Sequence, residues 1–182
     1  MSLINETYIL SNNIMIPKLG LGTWFIDDDK AAQAVRDAVE IGYRNIDTAQ
    51  AYGNERGVGE GIRTAGVARE VLFVSTKLAS EIKDYDAAVA AIEGSLAALD
   101  IGYIDLMLIH APQPWDDFRG GDYSEGNLAA WRALEEAHQV GKIRAIGVSN
   151  FLEPDLENIL DHGTVAPHVN QILVHAGNTP SD

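Results

Sequence analysis

Cysteine is absent from all 182 residues of this chain. That removes disulfides, thiolate catalysis and cysteine-ligated zinc at once. Basic residues are scarce: 13 Lys and Arg stand against 27 Asp and Glu, a formal charge of −14. Such a surface repels phosphates, so neither nucleic acid nor an anionic membrane is an expected partner. No apolar run approaches the roughly 20 residues that a membrane helix needs. The opening MSLINETYIL also lacks the basic segment and long apolar stretch of a signal peptide. The expected setting is therefore cytoplasmic. Hydrophobic residues make up 46% of the chain, enough for a real core, and the length suits one compact domain over residues 1–182 rather than two.

Tyr8-Ile9-Leu10 and Ile14-Met15-Ile16 flank Ser11-Asn12-Asn13, which reads as an opening hairpin within residues 1–18. From Leu19 the chain falls into a repeat of strand then helix. LGLGTW is a short strand, after which Asp27 to Asp29 offer a helix N-cap. Ala31, Ala34, Val35, Ala38 and Val39 line one face of that helix, and Gly42 closes it. YRNID is the second strand, followed by a glycine-weakened helix from Asn54 to Ala65 that ends at Gly66. VLFVSTK is the third, and Val89, Ile92, Leu96 and Leu99 mark the helix after it. IDLMLIH is the fourth, leading through a polar loop to a helix with Leu128, Trp131, Leu134 and Ala137. IRAIGVSN is the fifth, with Pro154 in the first turn of the next helix, and VNQILV is the sixth.

These strands are continuous apolar runs, the pattern of parallel sheets covered on both faces. Strand–helix units in series give either a doubly wound open sheet or a (β/α)8 barrel. A dinucleotide-binding open sheet should carry G-x-G-x-x-G after its first strand. Here Gly20 and Gly22 supply two glycines, but Phe25 stands where the third belongs, and no G-x-x-x-x-G-K occurs. The α/β barrel is favoured, with six of its eight strands in this chain.

In barrels the chemistry sits at the C-terminal ends of the strands. The second strand ends on Asp47, with Tyr52 five residues on; the third ends on Lys77 and the fourth on His110. The fifth ends on Ser149-Asn150, the sixth carries Asn170-Gln171, and Trp24 follows the first. Each alone has an ordinary reading: a cap, a solvated lysine, a hydrogen-bonded histidine, a tyrosine packed under its loop. All four would have to hold independently. His138, His162, His168 and His175 have no comparable setting and are read as structural. With no cysteine and no G-x-S-x-G elbow, Asp, Lys, Tyr and His point to proton transfer rather than acyl transfer. Lowering a tyrosine pKa from near 10 by about two units takes close to 3 kcal/mol. One ammonium about 4 Å away supplies roughly 4 kcal/mol at an effective dielectric of 20. Lys77 is therefore expected to make Tyr52 a stronger acid, with Asp47 keeping the lysine charged and His110 orienting a carbonyl oxygen.

At these positions the sequence resembles the aldo-keto reductases. GYRNIDTAQAYGNERGVG is similar to the family's first signature, STK to its lysine strand and LMLIHAP to its histidine strand. GKIRAIGVSNF and VNQ resemble the segments that hold a nicotinamide carboxamide, and GTW the loop that lines the substrate pocket. The resemblance implies a (β/α)8 TIM barrel that reduces an aldehyde or ketone with a hydride from NADPH and a proton from Tyr52. The implied catalytic residues are Asp47, Tyr52, Lys77 and His110. Thr23, Asp47, Ser149, Asn150 and Gln171 would hold the cofactor; Trp24, Tyr52, His110 and Ala111 would form the substrate pocket, without a metal. The bacterial branch related to 2,5-diketo-D-gluconate reductases is the nearest in pattern, and a monomer is expected for the complete enzyme.

Ala111 stands where many relatives have tryptophan, which implies a wider pocket suited to dicarbonyls or keto-sugar acids. The family's last two βα units, with the 2′-phosphate pocket, are expected beyond Asp182, so NADP against NAD is left open. Two other readings compete. One is a catalytically inactive relative with a binding or structural role. The other is an aldolase-type barrel in which Lys77 forms a Schiff base.

Overall fold

A computed structural model describes residues 3–178. The opening hairpin pairs β1 (Thr7–Ile9) with β2 (Met15–Pro17) antiparallel, Thr7 opposite Pro17 and Ile9 opposite Met15. Six strands then form one parallel sheet: β3 (Gly20–Gly22), β4 (Asn45–Asp47), β5 (Phe73–Leu78), β6 (Ile104–Ile109), β7 (Ile143–Ser149) and β8 (Asn170–Gln171). Their order in the sheet is their order in the chain. A doubly wound sheet would reverse direction at a switch point. This one does not, and it forms the first six strands of a (β/α)8 barrel.

Five helices follow the strands: α1 (Asp28–Ile41), α2 (Glu55–Thr64), α3 (Tyr85–Leu99), α4 (Ser124–Gln139) and α5 (Glu153–His162). Gly42 ends α1 at φ 118°, a left-handed conformation that frees its N–H for Ala38 O and Val39 O. Asp27 does occupy the N-cap position of α1, but its carboxylate takes the Lys30 ammonium at 2.5 Å and caps nothing. Asp28 instead reaches the Gly57 N–H of α2 at 2.7 Å. The glycines of α2 are more than weak points. A Cβ on Gly57 would come within 2.1 Å of Asp28 O, and one on Gly59 within 2.0 Å of Leu99 O. They allow α1 and α3 to close on α2.

Alternation along each strand decides what faces the barrel interior. On β5, Phe73 belongs to the interior cluster, Ser75 and Lys77 reach Asp47, and Thr76 points back to α2. On β6, Leu106 and Leu108 face inward, whereas Met107 and Ile109 pack with the helices. The hairpin's Leu10, Ile14 and Ile16 pack on Phe73, Leu106, Leu108 and Ala145 and cover the N-terminal end of the interior. The C-terminal end opens to a cleft that holds the residues at the strand ends.

The sixth strand departs from expectation. Residues 169–174 read as one strand, yet only Asn170 and Gln171 pair, with Val148 and Ser149 of β7. Ile172, Leu173 and Val174 are exposed by 42%, 66% and 58%. β8 has β7 as its sole neighbour among the described residues, and one edge holds too few bonds to extend it. By the strand–helix alternation a sixth helix would start at NTPSD, residues 178–182, of which 179–182 lie outside the described residues. Among the described residues no helix is long and apolar enough to cross a membrane.

Candidate active site

The cleft at the strand ends has a volume of about 680 Å³. Asp47, Lys77, His110 and Ser149 come to it from four successive strands, each on the inward side of the pleat. Tyr52 arrives from a single 3-10 turn, Gln50–Tyr52, directly after β4. Lys77 is the centre of the group and is only 1% exposed. Its ammonium donates to Asp47 Oδ2 at 2.6 Å, to Thr48 O at 2.9 Å and to Tyr52 Oη at 3.5 Å. Asp47 is fixed on its other oxygen by the Ser75 hydroxyl at 2.7 Å. Burial lowers the Lys77 pKa, and Asp47 opposes that shift by charge and hydrogen bond.

The lowered pKa expected for Tyr52 is not found. The phenol is pushed up to about 12, first by burial and then by the charge of Asp47. Lys77 spends its charge on a carboxylate 2.6 Å away, nearer than the phenol at 3.5 Å. Tyr52 is thus fully protonated at any working pH. His110 moves the other way: burial, then Lys77, bring it down to about 4, so the ring is neutral. Its Nδ1 is buried with no hydrogen-bond partner among the described residues. The ring meets Tyr52 edge-on at 5.7 Å and Trp115 at 5.5 Å between centroids.

Ser149, Asn150 and Gln171 form the opposite wall. The Ser149 hydroxyl donates to Gln171 O at 3.0 Å, stitching β7 to β8. Asn150 takes φ 60°, and its Nδ2 donates to His110 O at 3.1 Å. The Gln171 side-chain amide makes no hydrogen bond to a described residue. Thr23 is near this group but not in the cleft: it is fully buried and donates to Asp47 O at 3.1 Å. Ala111 also fails to reach it. That residue is fully buried, with its carbonyl accepting from Lys83 Nζ at 3.0 Å. Trp115, and not Ala111, lines the cleft among the described residues. Trp24 stands opposite, 6.4 Å from the Tyr52 ring and stacked on Phe25 at 4.3 Å.

A second cleft of about 700 Å³ lies on the outer surface between α4 and the end of α5. Its polar groups are already engaged: Glu135 accepts from the Thr164 and Val165 N–H groups, and His138 Nδ1 meets Ile143 O. Arg132, Glu135, Glu136, His138 and His162 line it, but none of them is buried as Lys77 and His110 are.

Residues 18–178 match the model of the Aldo/keto reductase family. The chain belongs to the aldo/keto reductase family. This member is 43% identical to glyoxal reductase of Bacillus subtilis (strain 168), over 94% of this chain and 59% of that protein. It is also 43% identical to methylglyoxal reductase DkgA of Yersinia pestis, over 88% of this chain and 54% of the relative. In three dimensions it resembles the Bombyx mori aldo-keto reductase in complex with NADP, with a TM-score of 0.81 and 39% identity. That match covers 93% of this chain and 58% of the other. The chain spans somewhat more than half the length of these relatives.

For this aldo/keto reductase chain, three site neighbours escaped the sequence reading. Ser75 carried a signal, since it lies two residues before Lys77 and so shares its face. Thr48 acts through its backbone carbonyl, which no side-chain motif marks. Trp115 lies in an irregular loop whose path no periodicity fixes.

Proposed function

We propose that the protein reduces an aldehyde or ketone to an alcohol with NADPH. The observation that carries this is one unbroken chain of contacts, from Ser75 through Asp47 and Lys77 to Tyr52, with neutral His110 beside the phenol. A reduced nicotinamide, when bound, supplies the hydride. The residues fit such a group: Gln171 presents an unpaired amide on a wall that also carries Ser149 and Asn150, suited to a carboxamide. The Bombyx mori relative in complex with NADP supports NADPH as the donor. Tyr52 is the proton donor, loaded at every working pH. Lys77, fixed by Asp47, offsets negative charge as the phenol loses its proton. His110 is neutral, so it orients the substrate oxygen by hydrogen bonding and leaves proton donation to Tyr52.

The small dicarbonyls in the names of the two bacterial relatives are the first candidate substrates. Keto-sugar acids are the second candidate class. The enzyme is proposed to act as a cytoplasmic monomer, where reduced nicotinamide is available, without a nucleic-acid partner. Tyr52→Phe removes the hydroxyl, with its proton and its contact to Lys77, and keeps the ring. It should lower kcat by about 10²–10⁴-fold and leave NADPH binding, read by fluorescence quenching, intact. A Phe variant keeping a tenth of the parent's turnover would exclude Tyr52 as the donor.

A further inference from the structure

Tyr52 is carried by one short turn with little backbone support of its own. That turn is secured by Tyr52 N–H to Ala49 O at 3.0 Å and Gly53 N–H to Gln50 O at 3.1 Å. Its reacting oxygen lies at the far end of a long side chain, where any tilt of the turn is magnified. The position of that oxygen relative to Lys77 must therefore be set from outside the turn.

Gln50, the first residue of the turn, uses its whole carboxamide for this. Nε2 donates to Ala91 O at 2.9 Å and to Ser95 Oγ at 2.8 Å, both on α3. Oε1 accepts from the Ala79 N–H at 2.9 Å, two residues past Lys77. Ser95, 1% exposed, passes the connection on by donating to Glu55 Oε2 at 3.2 Å. Glu55 Oε1 accepts from the Thr76 hydroxyl at 2.6 Å. Gln50 and Glu55 flank Tyr52 in sequence, and Thr76 and Ala79 flank Lys77. The two catalytic candidates are thus tied together on both sides through a polar relay that runs behind them.

We propose that Gln50, Ser95 and Glu55 are positioning residues that fix the Tyr52 hydroxyl relative to Lys77. The inference rests on the reading of Tyr52 as proton donor. Stability alone would not favour this construction. Glu55 is a substantially buried carboxylate with no cation partner among the described residues, and burial raises its pKa. Apolar packing of the same volume avoids that desolvation cost. What a satisfied polar network adds is direction, because each bond admits a narrow geometry.

Gln50→Leu keeps much of the volume and deletes all three hydrogen bonds. With NADPH and methylglyoxal as probes, kcat should fall about 10- to 100-fold, the scale of a displacement near 1 Å. NADPH affinity by fluorescence quenching should stay within about twofold, since Gln50 is remote from the Ser149–Gln171 wall. Glu55→Gln retains an acceptor for Thr76 and should keep kcat within about threefold of the parent, whereas Glu55→Leu should repeat the loss. Hydrogen exchange reads the same relay without turnover: the amides of residues 50–53 and of Ala79 should exchange faster in Gln50→Leu, with β6 unchanged. Parental kcat in Gln50→Leu, a loss that vanishes at a temperature where the variant is fully folded, or unchanged exchange at these amides would each overturn the inference. Tyr52→Phe separates the two readings. An active Phe variant removes the proton-donor assignment itself; an inactive one beside a fully active Gln50→Leu removes only the positioning role.

Discussion

Acid should destabilise this protein through His110, and the size of the effect follows from its surroundings. The imidazole is 8% exposed and titrates near 4 instead of its usual 6.5, first through burial and then through Lys77; Asp47 and Glu81 pull weakly the other way. Above pH 6.5 the ring is neutral both folded and unfolded, so it contributes no slope. Between 6.5 and 4 the unfolded chain binds a proton that the folded chain refuses. Stability then falls as pH falls, by about 1.4 kcal/mol per unit, reaching about 3 kcal/mol at pH 4. Replacing His110 with Gln removes the titration and keeps a polar side chain in the cleft. Urea unfolding of parent and variant, followed by tryptophan fluorescence at pH 7, 6 and 5, isolates the effect. His168 titrates in both proteins and cancels in the difference. Relative to pH 7, the variant should gain about 2 kcal/mol on the parent by pH 5. Parallel stability curves would refute the claim that His110 is kept neutral, and with it the division of labour between His110 and Tyr52.

Gly59→Ala and Gly94→Ala make the same change in neighbouring helices and should act with opposite sign. The first sets a Cβ 2.0 Å from Leu99 O and should cost about 1–2 kcal/mol net of the helix gain, while the second meets nothing within 4 Å and should stabilise by about 0.5–1 kcal/mol; urea midpoints compare them directly. Asp105 is 1% exposed and accepts from Arg69 Nη2 at 2.6 Å, Arg144 Nη1 at 2.7 Å and the Val74 N–H at 3.0 Å. Asp105→Ala should therefore destabilise by about 3–5 kcal/mol, because it strands a largely buried guanidinium, and a loss under 1 kcal/mol in urea unfolding would contradict that reading.

Much of the site was legible because two simple rules compound. Alternation places every second residue of a strand on one face. Serial βα connections then make chain neighbours into sheet neighbours. Asp47, Lys77, His110 and Ser149 each end an apolar run in the right phase, so their meeting at one mouth followed before any distance was known. Loops obey neither rule. The segment from Ala111 to Tyr123 turns through Arg119 at φ 67° and buries Ala111 while exposing Trp115. The glycines of α2 were legible as weak helix formers but not as contact points, since a close approach belongs to two helices and no single one records it. The length of β8 was overestimated for a related reason: apolar composition promotes a strand, but a second strand must supply the bonds.

The reversed sign at Tyr52 shows most clearly where sequence reasoning runs out. Proximity to Lys77 was correctly inferred, but proximity does not fix a pKa. The phenolate loses its water on burial, and the nearest cation is already paired more closely with Asp47. Both effects depend on depth and on differences of an ångström, which no spacing encodes. The outcome still suits the proposed chemistry. A hydroxyl that ionises near 12 gives up its proton only to a more basic oxygen, and a carbonyl oxygen becomes such a base only as hydride arrives. Proton transfer is then coupled to the progress of reduction and does not precede it. In the proposed scheme Lys77 would stabilise the phenolate once it forms, and the ties through Gln50 and Glu55 would hold that oxygen in place.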